Sequence, residues 1–424
     1  MGGWRGASLG LGLGFAVATA LVQAQSLPEL LERAVTTHPS VQGQRSQRAV
    51  AAAELDYARQ QFYPTPSVSI EQVSAAQQDP SYLQNATVKI FRLQQPLWTH
   101  GRLTAGVEKA QASADATANN LDDVRQQLAL RVLQAWADGY AAELKQTALQ
   151  TSVFTHQRLQ AQVGRRVDDG ASAPTEKVLT DGRLAQTRAQ LQAVVVQAET
   201  ARMRLEQLTG APIAAALLSA PLRELPDMDA AQAVDASVKR SPAVRRLQAT
   251  VRVQEADVVE RKSERFPEVY ARAEYQIGNA AVAGVPDAQR LFVGLQSKLG
   301  AGLSTFSGID AAENKVAVAR ADVENAQRAL AEQVLADWTQ RATVQARLVE
   351  LEASLQASRA TALAWDRQFL AGRKSWVEVM NSARELAQAE TDLADLLTAR
   401  VLLSWRLALY TQGLDSLLPG KTNP

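Results

Sequence analysis

The sequence has no cysteine, only three histidines and four methionines, and just 5% aromatic residues. Without cysteine there is no disulfide framework, no thiolate metal site and no thiol nucleophile. Charge of one sign is missing too. The 45 basic and 44 acidic residues leave a net charge of +1, so there is no electrostatic footprint for nucleic acid. His38, His100 and His156 lie far apart, with no H-x-x-x-H or H-E-x-x-H spacing, and no G-x-S-x-G or Walker sequence occurs. Asp122-Asp123 and Asp168-Asp169 lack the Gly and Glu of a calcium loop. The residues thus predict no enzyme, no catalytic or metal site and no cofactor.

Residues 1–24 carry one early cation, Arg5, then an apolar Gly-rich run from Ala7 to Val22, ending in Val22-Gln23-Ala24. Small or apolar residues at −3 and −1 fit a cleaved signal peptide. The other reading is a membrane anchor, but the run is short for a span of ~20 apolar residues. Cleavage removes Arg5 and leaves 44 basic against 44 acidic residues. Without cysteine the new terminus cannot be lipidated. No later stretch reaches the ~18 consecutive apolar residues of a transmembrane helix, so an exported chain that crosses a membrane does so as a β-barrel.

Alanine is what the chain has in excess: 76 of 424 residues, about 18%. With plentiful Gln, Leu, Arg and Glu, this points to long, closely packed helices.

The chain is also written twice. His38-Pro39-Ser40-Val41 corresponds to Ser241-Pro242-Ala243-Val244, and Pro64 to Pro267, at an offset of 203. Leu128 to Trp136 corresponds to Leu330 to Trp338, Gly170 to Gly372 and Glu176 to Glu378, at an offset of 202. An ordered series at nearly one offset means internal duplication. The predicted organisation is a signal at 1–24, a first repeat at 25–210, a linker at 211–227, a second repeat at 228–412 and a tail at 413–424. Each repeat reads helix, two strands, long helix, helix.

The opening helices are expected over 27–61 and 229–264, with His38 before Pro39 as a helix-turn signal. After the prolines come alternating stretches, 67–75 with 86–95 and 269–277 with 290–299. Odd positions of 269–277 are apolar or aromatic, and Leu291, Val293, Leu295 and Leu299 share one side of the last stretch. Four strands of about ten residues suit a tilted membrane barrel but are too few to close a channel. Three copies supply twelve. The competing reading is a soluble periplasmic rod or adaptor decorated with hairpins, although isolated hairpins are marginal in water.

Long helices are expected over 103–163 and 309–371, each ~90 Å at 1.5 Å per residue. Leu121, Val124, Leu128, Val132 and Trp136 mark one stripe, and Leu348, Leu351 and Leu355 its counterpart.

Together these residues resemble the TolC-like outer-membrane efflux protein family. The resemblance rests on Leu30-Leu31-Glu32-Arg33-Ala34 before His38-Pro39-Ser40, Ala58-Arg59 before Phe62-Tyr63-Pro64, and Gln95-Pro96-Leu97-Trp98 before Gly101-Arg102. It covers nearly all of residues 27–412. It implies a mainly α chain with a transmembrane β part: a homotrimer whose 12-stranded β-barrel continues into a long α-helical coiled-coil tunnel. It places the chain in the outer membrane of a Gram-negative bacterium, among its lipids, with the helices in the periplasm. The partners implied are a periplasmic adaptor (membrane fusion) protein and an inner-membrane transporter of the ABC type that supplies the energy. The segment from Phe369 to Asn381 resembles the agglutination-protein branch, associated with type I secretion of large adhesins. A drug or metal efflux duct is the alternative within the family.

Gly170 and Gly372 sit where each long helix must turn back, since glycine accepts the positive φ that ends a helix. Ser172, Pro174 and Glu176 signal the first returning helix, and Ser375 three residues before Glu378 is a capping-box pattern for the second. Two plain helical hairpins explain these residues by themselves. The resemblance adds that the turns form an adaptor-docking tip with Gly164, Arg165, Val167, Gly170, Gly372, Arg373 and Ser375. It also maps two acidic residues of the tunnel entrance onto Glu378 and Asn381. The asparagine departs from the family pattern and halves the charge. Arg373, Lys374 and Arg384, pairing with Glu378 or Glu385, are the expected gate.

Overall fold

Pro39 and Pro242 each start a helix and force the residue before them out of it. His38 (φ −61°, ψ 136°) and Ser241 (φ −58°, ψ 119°) are extended, as the proline ring demands of its predecessor. In the computed structural model, which describes residues 26–72, 87–213, 220–277, 287–297 and 304–419, each opening region is therefore two helices where the sequence predicts one. These are α1 (Leu27–Thr37) and α2 (Pro39–Gln60), then α5 (Ala230–Arg240) and α6 (Pro242–Ser263). His38 Nδ1 accepts from the Ser40 amide at 3.2 Å, and Ser241 Oγ from the Val244 amide at 3.3 Å. The expected signal segment lies outside the described residues.

The long helices are α3 (Arg102–Asp168) and α7 (Ser304–Leu370), each of 67 residues, or ~100 Å. They return as α4 (Pro174–Thr209) and α8 (Trp376–Gln412), and a short 3-10 helix, Leu414–Leu417, follows. None of the described helices is apolar enough to cross a membrane.

The strands β1 (Thr65–Gln72), β2 (Thr87–Trp98), β3 (Glu268–Ile277) and β4 (Asp287–Gln296) form one antiparallel sheet in chain order. The pairing of β2 with β3 joins the two halves. β2 runs through Pro96 and Trp98, past the expected strand end at Gln95. Its register shifts between Pro96 and Trp98, an irregularity of the kind that lets a sheet accept proline. Positive φ at His100 (52°) and Gly101 (89°) then turns the chain into α3.

Leu121, Leu128, Val132 and Trp136 of the predicted stripe are buried against Leu27, Leu30 and Leu31 of α1 and Trp405 of α8, while Leu348 forms a separate cluster with Val344, Leu396 and Leu403, against which Leu351 packs. Ile213, Ala220 and Leu225 of the expected linker are drawn into the first core: Trp405 Nε1 donates to the Pro221 carbonyl at 2.9 Å and Arg223 lies over its ring.

Neighbours run α4–α3–α8–α7 in the lower part and α2–α3–α6–α7 nearer the sheet. The chain is thus a sector with two flanks. One carries β1, α2 and α4; the other carries β4 and α7.

Candidate functional site

The sheet has one mainly apolar face, which also carries Lys89 and Gln289, and one mainly polar face, set by the strand period of two. Val68, Phe91 and Tyr275 share a row, as do Pro66, Leu93, Ala273 and Leu291. Leu291, Val293 and Leu295 are 79%, 72% and 69% exposed. On the opposite face, Ser67, Arg92, Glu274 and Arg290 form a row, with Arg272 and Phe292 in the next. Here the side chains cover one another: Arg92 Nε donates to Glu274 at 2.7 Å, and Glu274 is 11% exposed. The polarity is the reverse of a water-soluble sheet, in which the apolar face is the covered one. Trp98 sits edge-on to His100, which stacks on Phe266, so aromatic rings mark the sheet-to-helix junction.

At the far end of the helices, the two turns meet. Gly170 and Gly372 both adopt φ +72°, as expected for glycine at a helix C-terminus. Leu159 and Val163 of α3 are buried with Phe369, Trp376, Val379 and Met380 of the second hairpin, and Val167 packs against them. Arg158 donates to Asp366 at 2.9 Å, and Arg166 lies over the Phe369 ring at 5.4 Å. Gly164 is half-buried, whereas Arg165, Gly170, Gly372, Arg373 and Ser375 are exposed.

The capping box read from the sequence is present at the start of α8. The Glu378 amide donates to Ser375 Oγ, and the Ser375 amide donates back to Glu378 Oε2 at 3.1 Å. In the first hairpin the N-cap is Ala173, not Ser172; Pro174 and Glu176 occupy the first turn. Lys374 Nζ donates to Glu378 Oε1 at 2.6 Å. That bond, with the two from Ser375, lowers the Glu378 carboxyl to about 2, so it is ionised throughout the physiological range. Asn381 follows on the same helix, half-buried. Of the expected gate pairs, Lys374–Glu378 is formed. Arg373, Arg384 and Glu385 make no ion pair among the described residues.

Sequence reasoning missed the Arg158–Asp366 pair, the Arg359–Glu390 pair at 3.1 Å and the Arg92–Glu274 pair between the two halves. Each joins residues on different elements, and no local spacing announces them. Among the described residues no cluster is placed to hold a metal ion.

Residues 30–211 match the family model described as outer membrane efflux protein. No curated protein sequence matches the chain. Solved structures do. The outer-membrane channel OprN superposes with a TM-score of 0.80 at 19% identity, over 91% of this chain and 89% of that one. The outer membrane protein VceC of Vibrio cholerae gives 0.78 at 15%, over 91% and 96%. The open state of the MtrE outer membrane channel of Neisseria gonorrhoeae gives 0.75 at 16%, over 94% and 91%. The first half of the chain matches the model of the family that the sequence resembles, and the described chain has the fold of these channels.

Proposed function

We propose that three copies close into a twelve-stranded barrel continuous with a helical tunnel, a passive exit duct for type I secretion of a large adhesin. The observation that carries the duct is the inverted sheet. Its exposed apolar face suits lipid and its covered polar face suits water, and unpaired edges are untenable in a bilayer. The two flanks support closure by a head-to-tail ring. Val178, Leu179, Val196 and Met203 on α4, and Val318, Leu335, Val349 and Leu363 on α7, are all at least 50% exposed. Those two apolar flanks are the surfaces such a ring brings together.

In this reading the two tips receive a periplasmic adaptor (membrane fusion) protein through Gly164, Arg165, Val167, Gly170, Gly372, Arg373 and Ser375. An inner-membrane transporter of the ABC type supplies energy. Three Glu378 carboxylates, with Asn381 one turn on, ring the entrance, and a carboxylate ring favours cations. The Lys374–Glu378 pair is the part of the gate that the tip geometry supports. Adhesin as cargo rests on the 369–381 segment alone; drug or metal efflux is the second reading.

Conductance in planar bilayers tests the duct, with Glu378→Gln expected to lower cation preference; an absence of pores from correctly assembled protein would sink it. Retention of a surface adhesin inside a deletion strain tests the cargo, and normal display of adhesins with a rise in drug or metal sensitivity would select the second reading.

A further inference from the structure

The polar face of the sheet carries a row with two cations around one anion. Arg92, Glu274 and Arg290 lie directly opposite one another on three successive strands. The Glu274 carboxylate is already engaged by Arg92 at 2.7 Å and approached by Arg272 Nε at 3.3 Å. Among the described residues Arg290 reaches only the neutral Gln276, at 3.3 Å. Arg272 is held over the Phe292 ring at 4.6 Å, and its Nε is buried without a hydrogen bond of good geometry. Two guanidiniums therefore share one carboxylate, and the third, Arg290, meets only a neutral amide. The other acids of this face do not restore the balance: Glu268 is engaged by Arg102, and Glu71 lies on β1 two rows from Arg92.

A surplus of guanidinium in a partly covered site is unfavourable unless an anion shares it, because desolvated charge needs a counter-charge. Guanidinium groups also match carboxylate and phosphate oxygens geometrically. We propose that Arg272 and Arg290, steadied by Arg92 and Glu274, form an anion-binding site on the polar face of the sheet. It would take carboxylate or phosphate groups of whatever passes. The proposal rests on the duct reading for its place in transport, where one such site per chain makes a cationic belt inside the membrane-spanning part. That belt is opposite in sign to the Glu378 carboxylates at the helix tips.

The test is titration calorimetry on the full chain in non-ionic detergent, with inorganic tripolyphosphate as the probe. Binding is expected, weakened about tenfold or more by Arg290→Gln, the loss of a charge-assisted contact, and largely restored by Arg290→Lys. Arg290 is exposed and bonded to a neutral partner, so its loss leaves the Arg92–Glu274 pair intact. No binding by the wild type, or equal binding by Arg290→Gln, overturns the site. Bilayer recordings are kept separate: absence of pores sinks the duct, while binding that persists in detergent still upholds the anion site.

Discussion

Lys374 Nζ lies 2.6 Å from a Glu378 oxygen and 4.6 Å from the centre of the Trp365 ring. One ammonium thus ties the first turn of α8 to the end of α7. Because the folded Glu378 pKa is depressed to about 2 from an ordinary 4.5, its contribution is complete above the ordinary value. It is lost as pH falls towards 2. Limited proteolysis at the second tip is expected to stay slow down to about pH 4 and quicken below it. Glu378→Gln should remove that acid-dependent step and cleave faster at neutral pH.

Asp337, with a side chain 2% exposed, is met by Arg406 at 3.0 Å and by Gln333 Nε2 at 3.0 Å. Burial, opposed by Arg406, holds its carboxyl above the usual range. Arg406→Leu would leave this group buried without its counter-charge, at a cost of about 3–5 kcal/mol. A raised carboxyl pKa means that the folded state holds the proton longer than the unfolded one, so this cost should shrink as pH falls from 7 towards about 4. Thermal unfolding in detergent at both ends of that range checks the sign, and Asp337→Asn should recover most of the loss.

His156 is buried in α3, with Nδ1 2.8 Å from the Ser152 carbonyl. Burial chiefly, aided by Arg183 and opposed by the Ser152 bond, lowers its pKa below 6.5. The unfolded chain therefore takes up the proton first, and stability is complete above 6.5 and lost as pH falls through the lowered folded value. His156→Gln should flatten the melting temperature between pH 6.5 and 5; a slope as steep as that of the wild type would mean that other groups set it.

Gly294 faces Tyr270 across β3 and β4, and a Cβ there would stand 2.6 Å from the tyrosine ring. Gly294→Val should lower the yield of assembled protein in the outer-membrane fraction, and Tyr270→Ala in the same chain should restore much of it. Failure of that rescue would place the defect elsewhere than in this contact.

Local rules carried the sequence reading a long way. The alternation at 269–277 and 290–299 placed Leu291, Val293 and Leu295 on the face that proves apolar, with Leu299 outside the described residues, and Ser375 with Glu378 was recognisable as a capping box from its spacing alone. His38-Pro39 signalled a turn, yet its strength went unread: an extended residue before proline divides what the periodicity joins. Pro96 misled in the other direction, because a strand irregularity absorbs a proline that reads as an ending. What stayed invisible was everything set by register between distant segments. Arg92 finds Glu274, 182 residues away, only once β2 lies against β3. Lys109 bridges Asp257 and Glu260 only once α3 packs on α6. There burial disfavours the lysine's charge, but the two carboxylates outweigh it and raise its pKa.

The sheet ends at β1 on one side and β4 on the other, each with an outer row of backbone groups that no strand among the described residues meets. If neighbours complete those edges, membrane insertion and subunit counting become a single event, and a lone copy has no stable resting place in lipid. Genetically, such a protein is exposed to dominance. A subunit with a sound flank and a spoiled one, such as a proline within β4, would be admitted to mixed assemblies and would disable the intact copies beside it.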